Sequence, residues 1–237
     1  MVATRPASRK TELEEGRADK ARSFVAEMAF VVPDHIAFCQ VHGRTALLDI
    51  REDRYSALPA HLEEPFARVA SGDDSAPPPA LIRLGLAVEG ARAPRREPIP
   101  PQASHLEDAP FARHSTAAVL DVAWALIKAR HAVRRRPFSE LVARLAAREV
   151  RDVSPGAGLL AATDQFLAAR SLAPIAPVCL QDSVALIAYL ARRGFHPTLV
   201  FGVCLEPFSA HCWVQAADVV LNDALLRARS HTPILAV

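Results

Sequence analysis

The stretch PVCLQDSVALIAYLARRGFHPTLVFGVCLEPFSAHCWVQAADVVLND, residues 177–223, decides how this chain folds. Val184, Ala185, Leu186, Ile187 and Leu190 leave no polar face, which predicts a helix over residues 180–193 that is buried on nearly every side. Gly194 stands where a C-terminal helix cap belongs. Beyond it come three runs of β character, at residues 198–204, 211–215 and 219–223. The pattern implies one buried helix packed on an antiparallel sheet.

The last two runs read as a hairpin joined by Ala216, Ala217 and Asp218, with Gln215 facing Val219. That register sets His211 opposite Asp223 and Trp213 opposite Leu221. Directly opposed residues project to one face with Cβ atoms roughly 5 Å apart, within reach of an imidazole–carboxylate hydrogen bond. A His oriented by an Asp is the base half of a nucleophilic triad. Cys179 supplies the nucleophile: it follows Pro174 and Pro177 at the start of the buried helix, where free N–H groups and the dipole favour thiolate over thiol. The same N–H groups suit an oxyanion.

Upstream of this stretch, helical periodicity runs over residues 111–133, 138–150 and 159–169, with the first helix ended by Arg134, Arg135, Arg136 and Pro137. A second domain is therefore expected over residues 111–237. Residues 91–110 carry Pro94, Pro98, Pro100, Pro101 and Pro110 with no hydrophobic period, the composition of a linker. Residues 26–90 read as a smaller domain. Strand-like runs at 35–41, 45–50 and 55–58, separated by turns at 42–44 and 51–54, form a three-stranded meander, followed by helices near 62–70 and 80–88. Residues 1–25 are rich in charge, lack the apolar core of a secretory signal and are expected to be a disordered tail.

Bulk composition excludes several classes. Against 28 basic residues stand 26 acidic ones, a net charge of +2 that gives no field suited to nucleic acid. The longest apolar stretch, residues 117–127, contains Asp121 and is too short for a membrane span. Cys39, Cys179, Cys204 and Cys212 include no CxxC pair, so neither a disulfide framework nor a zinc ribbon is indicated and a reducing cytoplasm fits. Cys39 and Cys204 read as packing residues. His211 and Cys212, as strand neighbours, point to opposite faces and do not make a metal site with Cys204. Asp218 falls in the turn, and His196 and His231 read as surface groups. No cofactor is expected.

Residues 177–186, Gly202-Val203, residues 211–215 and Leu221-Asn222-Asp223 resemble the leader peptidase of lasso-peptide biosynthesis, a cysteine protease of the transglutaminase-like superfamily. The resemblance implies an α+β chain whose C-terminal domain is papain- or transglutaminase-like, with Cys179, His211 and Asp223 catalytic. Cys212 departs from it, standing where a small residue such as Ala is the pattern. Residues 46–50 and 55–58 resemble a leader-recognition domain, which implies a winged-helix-like unit that captures the leader peptide as an added strand. Tyr55 and Leu58, with Trp213 on the pocket wall, are the substrate-binding candidates. The implied partners are the lasso precursor with its leader and an ATP-dependent cyclase that closes the macrolactam after cleavage. The rival readings are acyl transfer to an amine, as transglutaminases perform, and a non-catalytic module that delivers the precursor.

Overall fold

The computed structural model describes residues 29–73, 75–91, 97–108, 115–148 and 155–237. The expected tail at residues 1–25 lies outside them. The chain divides into two compact units, Met1–Pro33 with Glu64–Ala93 and Asp34–Glu63 with Pro94–Val237. With elements numbered in chain order, the first unit pairs β1 (Ala29–Val31) antiparallel with β5 (Val88–Gly90). Its helices are α1 (Glu63–Ser71), which buries Phe66 and Val69, and α2 (Pro79–Arg83), which buries Leu81. Pro79 at the first helical position explains where α2 begins, since its ring presets φ and the missing N–H has no helical partner there.

The meander is present within two residues of the expected limits, as β2 (Ile36–Val41), β3 (Arg44–Asp49) and β4 (Arg54–Ala57). His42 and Gly43, at φ 48° and 80°, make the tight turn between β2 and β3. The units part at Ala93/Pro94, inside the expected linker, but the meander falls within Asp34–Glu63, which belongs to the second unit. Ala37, Val41, Ala46, Leu48 and Ile50 belong to the same hydrophobic core as the helices and sheet of residues 116–237. Alternation along β2 and β3 creates an apolar face, and that face is buried against the C-terminal half of the chain.

The rest of the second unit is β6 (Ala103–Ser104), α3 (His105–Asp108), α4 (Thr116–Arg135), α5 (Phe138–Ala146), α6 (Ala157–Ser171), α7 (Cys179–Ala191), β7 (Thr198–Leu205), β8 (Phe208–Ala216), β9 (Val219–Val220), α8 (Leu225–Arg229) and β10 (Thr232–Ala236). The strands form one sheet in the order β10-β7-β8-β9-β6, antiparallel except for β6 beside β9. As expected, α7 is apolar nearly all round, with Val184, Ala185, Leu186, Ile187, Tyr189 and Leu190 buried. Period-two alternation splits the sheet's side chains. Leu199, Phe201, Val203, Cys212 and Val214 join the core that contains α7, while Val200, Trp213 and Val220 pack with Ala228 of α8 on the opposite face.

The described part of the expected linker is built into this unit. Gln102 N–H donates to Asp218 O at 2.8 Å and Gln215 Nε2 donates to Ile99 O at 2.9 Å, so residues 97–108 run along the sheet edge. Prolines block helix and central strand there but allow an extended segment whose partners come from the edge it meets.

Gly202 lies opposite His211 in the β7–β8 ladder. A Cβ on it would meet the Trp213 ring at 2.8 Å and His231 Cβ at 2.9 Å. Gly202→Ala is therefore expected to destabilise the protein by about 1–3 kcal/mol, the usual cost of overpacking. Urea denaturation measures it, and an unchanged midpoint would show that the indole yields freely.

Candidate active site

Cys179 is the first residue of α7 and is exposed. Val178, the N-cap residue, is extended at φ −137° and ψ 120° and makes no side-chain cap. The first-turn N–H groups of α7 thus stand beside the thiol without a capping side chain. The approach to the helix is fixed by Arg170 of α6. Its Nε and Nη2 bond the Asp182 carboxylate at 3.0 and 3.2 Å, and Nη2 also donates to Ile175 O at 3.0 Å. A planar guanidinium holding two segments at once sets where Cys179 begins.

The β8–β9 register differs by one residue from the expected pairing of Gln215 with Val219. Gln215 pairs with Val220 and Ala216 with Val219, so the turn is the two residues Ala217-Asp218, with Ala217 at φ 50°. Continued regularly, this ladder would send His211 and Asp223 to opposite faces. The ladder does not continue. Leu221 N–H donates to Val214 O at 2.8 Å, and then the side chain of Asn222 replaces the backbone: its Oδ1 accepts Val214 N–H at 2.7 Å. The chain leaves the sheet at that point, and Asp223 Oδ2 is hydrogen-bonded to His211 Nε2. The pairing was right, and it arises from a broken ladder instead of a regular one.

His211 and Asp223 are both largely shielded, with side chains 7% and 14% exposed. The His211 ring stacks on Trp213 at 6.1 Å and lies 5.3 Å from the ring of His231. Burial alone would keep the imidazole neutral, yet the hydrogen bonds to Asp223 and Cys179 and their charges outweigh it and lift His211 up to about 9. Burial likewise opposes ionisation of Asp223. The His211 bond, the Ala224 N–H and the nearby charges of His211 and Arg227 overcome it and hold the carboxyl below its usual range.

The Cys179 thiol is lowered to about 4, first by the side chain of Cys212 and then by His211, with the Cys212 N–H contributing as well. Alternation explains that N–H. In an antiparallel ladder both polar groups of Val214 face the β9 side, and so do those of Cys212, two residues away. Because β9 is only two residues long, the β8 edge at Cys212 is left for the sulfur. Cys179 therefore sits against the main chain of β8, where residues from either face of the strand reach it. Cys212 itself, 3% exposed, stays a thiol far above its ordinary range, because its hydrogen bond to the Cys179 side chain, burial and the Cys179 charge all oppose a second anion.

Two residues that motif reading passed over complete the arrangement. Ser183, one turn beyond Cys179 on the same side of α7, is fully buried and accepts from Asn222 Nδ2 at 3.0 Å. Asn222 thereby ties the helix of Cys179 to β8. A polar residue on an otherwise apolar helix and an Asn-Asp pair after a short strand were the available signals. His231 is no isolated surface group: Nε2 meets Ser209 Oγ at 3.0 Å and Nδ1 lies 3.0 Å from Arg227 O.

The substrate-binding candidates fare differently. Tyr55 is half-buried, its ring 5.9 Å from that of Phe208. Burial raises its hydroxyl, and the charges of Cys212, Asp53 and Cys179 add to the effect, which places Tyr55 near the site. Leu58 is 1% exposed and its N–H is held by Thr45 O, so it is a core group and not a ligand contact. Trp213 is fully buried, with Nε1 donating to Gln215 Oε1 at 2.8 Å; it supports His211 from behind and lines no open pocket. Cys39, pushed up to about 12 by burial, and Cys204, which contacts Glu206 O, stand apart from the nucleophile. Among the described residues, no group of three or more His, Cys, Asp or Glu side chains is placed to hold a metal ion. Among them, too, no helix is long and apolar enough to cross a membrane.

Residues 122–236 match the family model of the Transglutaminase-like superfamily, a span that contains Cys179, His211 and Asp223. No curated protein and no solved structure matches the chain significantly. The superfamily includes cysteine proteases and acyltransferases, and both use a Cys nucleophile beside a His base.

Cys212→Ala removes the largest influence that favours the Cys179 thiolate. The acidic limb of Cys179 alkylation by iodoacetamide, expected near pH 4 in the natural protein, should then move toward neutral pH. Rates measured from pH 3 to 8 check this; coincident limbs would show that the Cys212 side chain does not hold the thiolate.

Proposed function

We propose that the transglutaminase-like superfamily domain at residues 122–236 makes this protein a cysteine peptidase that removes the leader from a lasso-peptide precursor. The observation that carries the reading is the chain of proton-linked groups Cys179–His211–Asp223, with the thiol lowered and the imidazole raised so that the pair rests as thiolate and imidazolium. The sulfur attacks the carbonyl carbon at the end of the leader. The first-turn N–H groups of α7 receive the oxyanion, and His211 gives its proton to the departing amine. Water, deprotonated by the now neutral His211, then attacks the thioester, the leader leaves as a carboxylic acid and the thiolate is restored. Asp223 holds the ring so that Nε2 faces the carboxylate and Nδ1 faces the sulfur.

The motif resemblance supports the leader as substrate and an ATP-dependent cyclase as the partner that consumes the freed amine. A cytoplasmic setting suits a free low-pKa thiol. The recognition element is the segment over residues 26–90, with a winged-helix-like role for its meander. β4 is the outer strand of the three-stranded sheet, and Arg54, Ser56 and Ala57 are exposed. An unpaired strand edge offers N–H and C=O groups to an extended peptide. The Tyr55 ring of that edge strand lies 5.9 Å from the ring of Phe208 on β8, the strand that carries His211.

Incubation of the purified protein with its precursor, followed by mass spectrometry, is expected to yield leader and core whose summed mass exceeds the precursor by one water. Two fragments joined with loss of ammonia or an amine would identify acyl transfer, and an unchanged precursor would identify a delivery module. Cys179→Ala should lower cleavage by about four orders of magnitude or more. Because Cys179 is lowered and His211 raised, kcat/KM should climb as pH passes about 4 and decline as it passes about 9, where the imidazolium is lost. A single limb near pH 7 would contradict the ion pair.

A further inference from the structure

The turn that carries Asp223 is gripped by residues that precede the family-matched span. Ser104, 3% exposed, donates its hydroxyl to the backbone carbonyl of Asp223 at 2.6 Å and accepts Leu106 N–H at 3.2 Å. Its backbone is paired with Val220 in the parallel β6–β9 ladder. Three residues on, Glu107 Oε1 accepts Leu225 N–H, the first residue of α8, at 2.9 Å. The Asp223 carboxylate has its Oδ2 on His211 and its Oδ1 accepting Ala224 N–H at 2.8 Å. The gripping segment is held in turn by His105, whose Nε2 lies 2.6 Å from Asp164 Oδ1 of α6, the two side chains 9% and 13% exposed. The same α6 carries Arg170, which fixes the approach to Cys179. One helix thus references both ends of the triad.

We infer that Ser104, with Glu107, is a positioning residue: the two fix the main chain at the Asp223 carbonyl and at Leu225 just beyond it, so that the Asp223 Oδ2 stays on His211 Nε2. The inference rests on the triad reading above. Without the Ser104 hydroxyl, the Asp223 carbonyl loses its donor, and the turn keeps only the Leu221 and Asn222 bonds before Asp223 and the Glu107 bond after it. The carboxylate then spends less time on the imidazole, and the imidazolium loses the partner that keeps its proton. His211 is also faced by Cys179 from α7 and by His231 from the turn before β10, and Arg227 of α8 lies 4.0 Å from Asp223 Oδ2. None of these contacts passes through Ser104 or Glu107.

The test is the pH profile of Cys179 alkylation by iodoacetate, whose carboxylate is drawn by the His211 imidazolium so that the rate falls as that proton is lost; it is followed at Cys179 by peptide mapping and needs no peptide substrate. The natural protein should show its alkaline limb near pH 9. In Ser104→Ala that limb should fall by about one pH unit, a tenfold change in the His211 proton equilibrium. Ser104→Thr, which keeps a hydroxyl, should restore it. A purely structural loss would lower the amount of folded protein and leave the limb in place. An unshifted limb in folded Ser104→Ala overturns the inference while leaving the triad intact, whereas absence of any alkaline limb in the natural protein overturns both. Should Ser104→Ala not fold, Glu107→Ala decides at the other anchor: a lowered limb supports the clamp and an unchanged one overturns it.

Discussion

The ladder between β8 and β9 stops after two pairs because Asn222 takes over the bond that a third strand residue would have made. Three things depend on that substitution. The chain turns out of the sheet, which swings Asp223 onto His211. The edge of β8 at Cys212 is left open, and the sulfur of Cys179 occupies it. The other end of the same amide reaches Ser183, so the helix that carries Cys179 and the strand that carries His211 share one side chain. A regular strand here would have paired every backbone group and left no place for a thiol.

The electrostatics follow from that geometry. A thiol at a helix start is already biased toward ionisation, but the bias is modest when solvent screens it. Here the sulfur also meets an S–H, a backbone N–H and a protonatable ring at a shielded strand edge, and these together hold it ionised far into the acid range. Asp223 acts one step removed, by keeping the ring protonated. Cys212 illustrates the cost of crowding: as neighbour to a thiolate it cannot ionise as well, so its use is that of a donor.

The residues themselves were legible where chemistry is local. A Cys after prolines at the head of an apolar helix and a His ahead of a Trp on a strand identify themselves by type and position, and the all-apolar helix could only be central. The partner of His211 was found through a register that is one residue wrong, since pairing by sequence assumes an unbroken ladder and gives no sign that an Asn side chain will replace a backbone group. Depth was also hidden. Leu58 and Trp213 looked available because strand residues alternate between two faces, and the sequence does not say that here both faces are covered. The allegiance of the meander was hidden for a related reason: an apolar face shows that a partner exists without showing which. β10 escaped notice because Pro233 interrupts it, yet it runs along the sheet edge, where a missing N–H costs no ladder bond.

The contact between Ser104 and Asp223 joins positions 119 apart in the chain, and that between Ile99 and Gln215 joins positions 116 apart. Closing loops of that length carries an entropic cost that local helices and hairpins do not meet, so such contacts form after the elements they join. The acid of the site is thus secured only once the chain from residue 99 to residue 223 has come together. A newly made or partly opened molecule can hold α7 and the β7–β8 hairpin and still lack an aligned Asp223. The long-range closure thus ranks the alignment of Asp223 behind the local elements that carry Cys179 and His211.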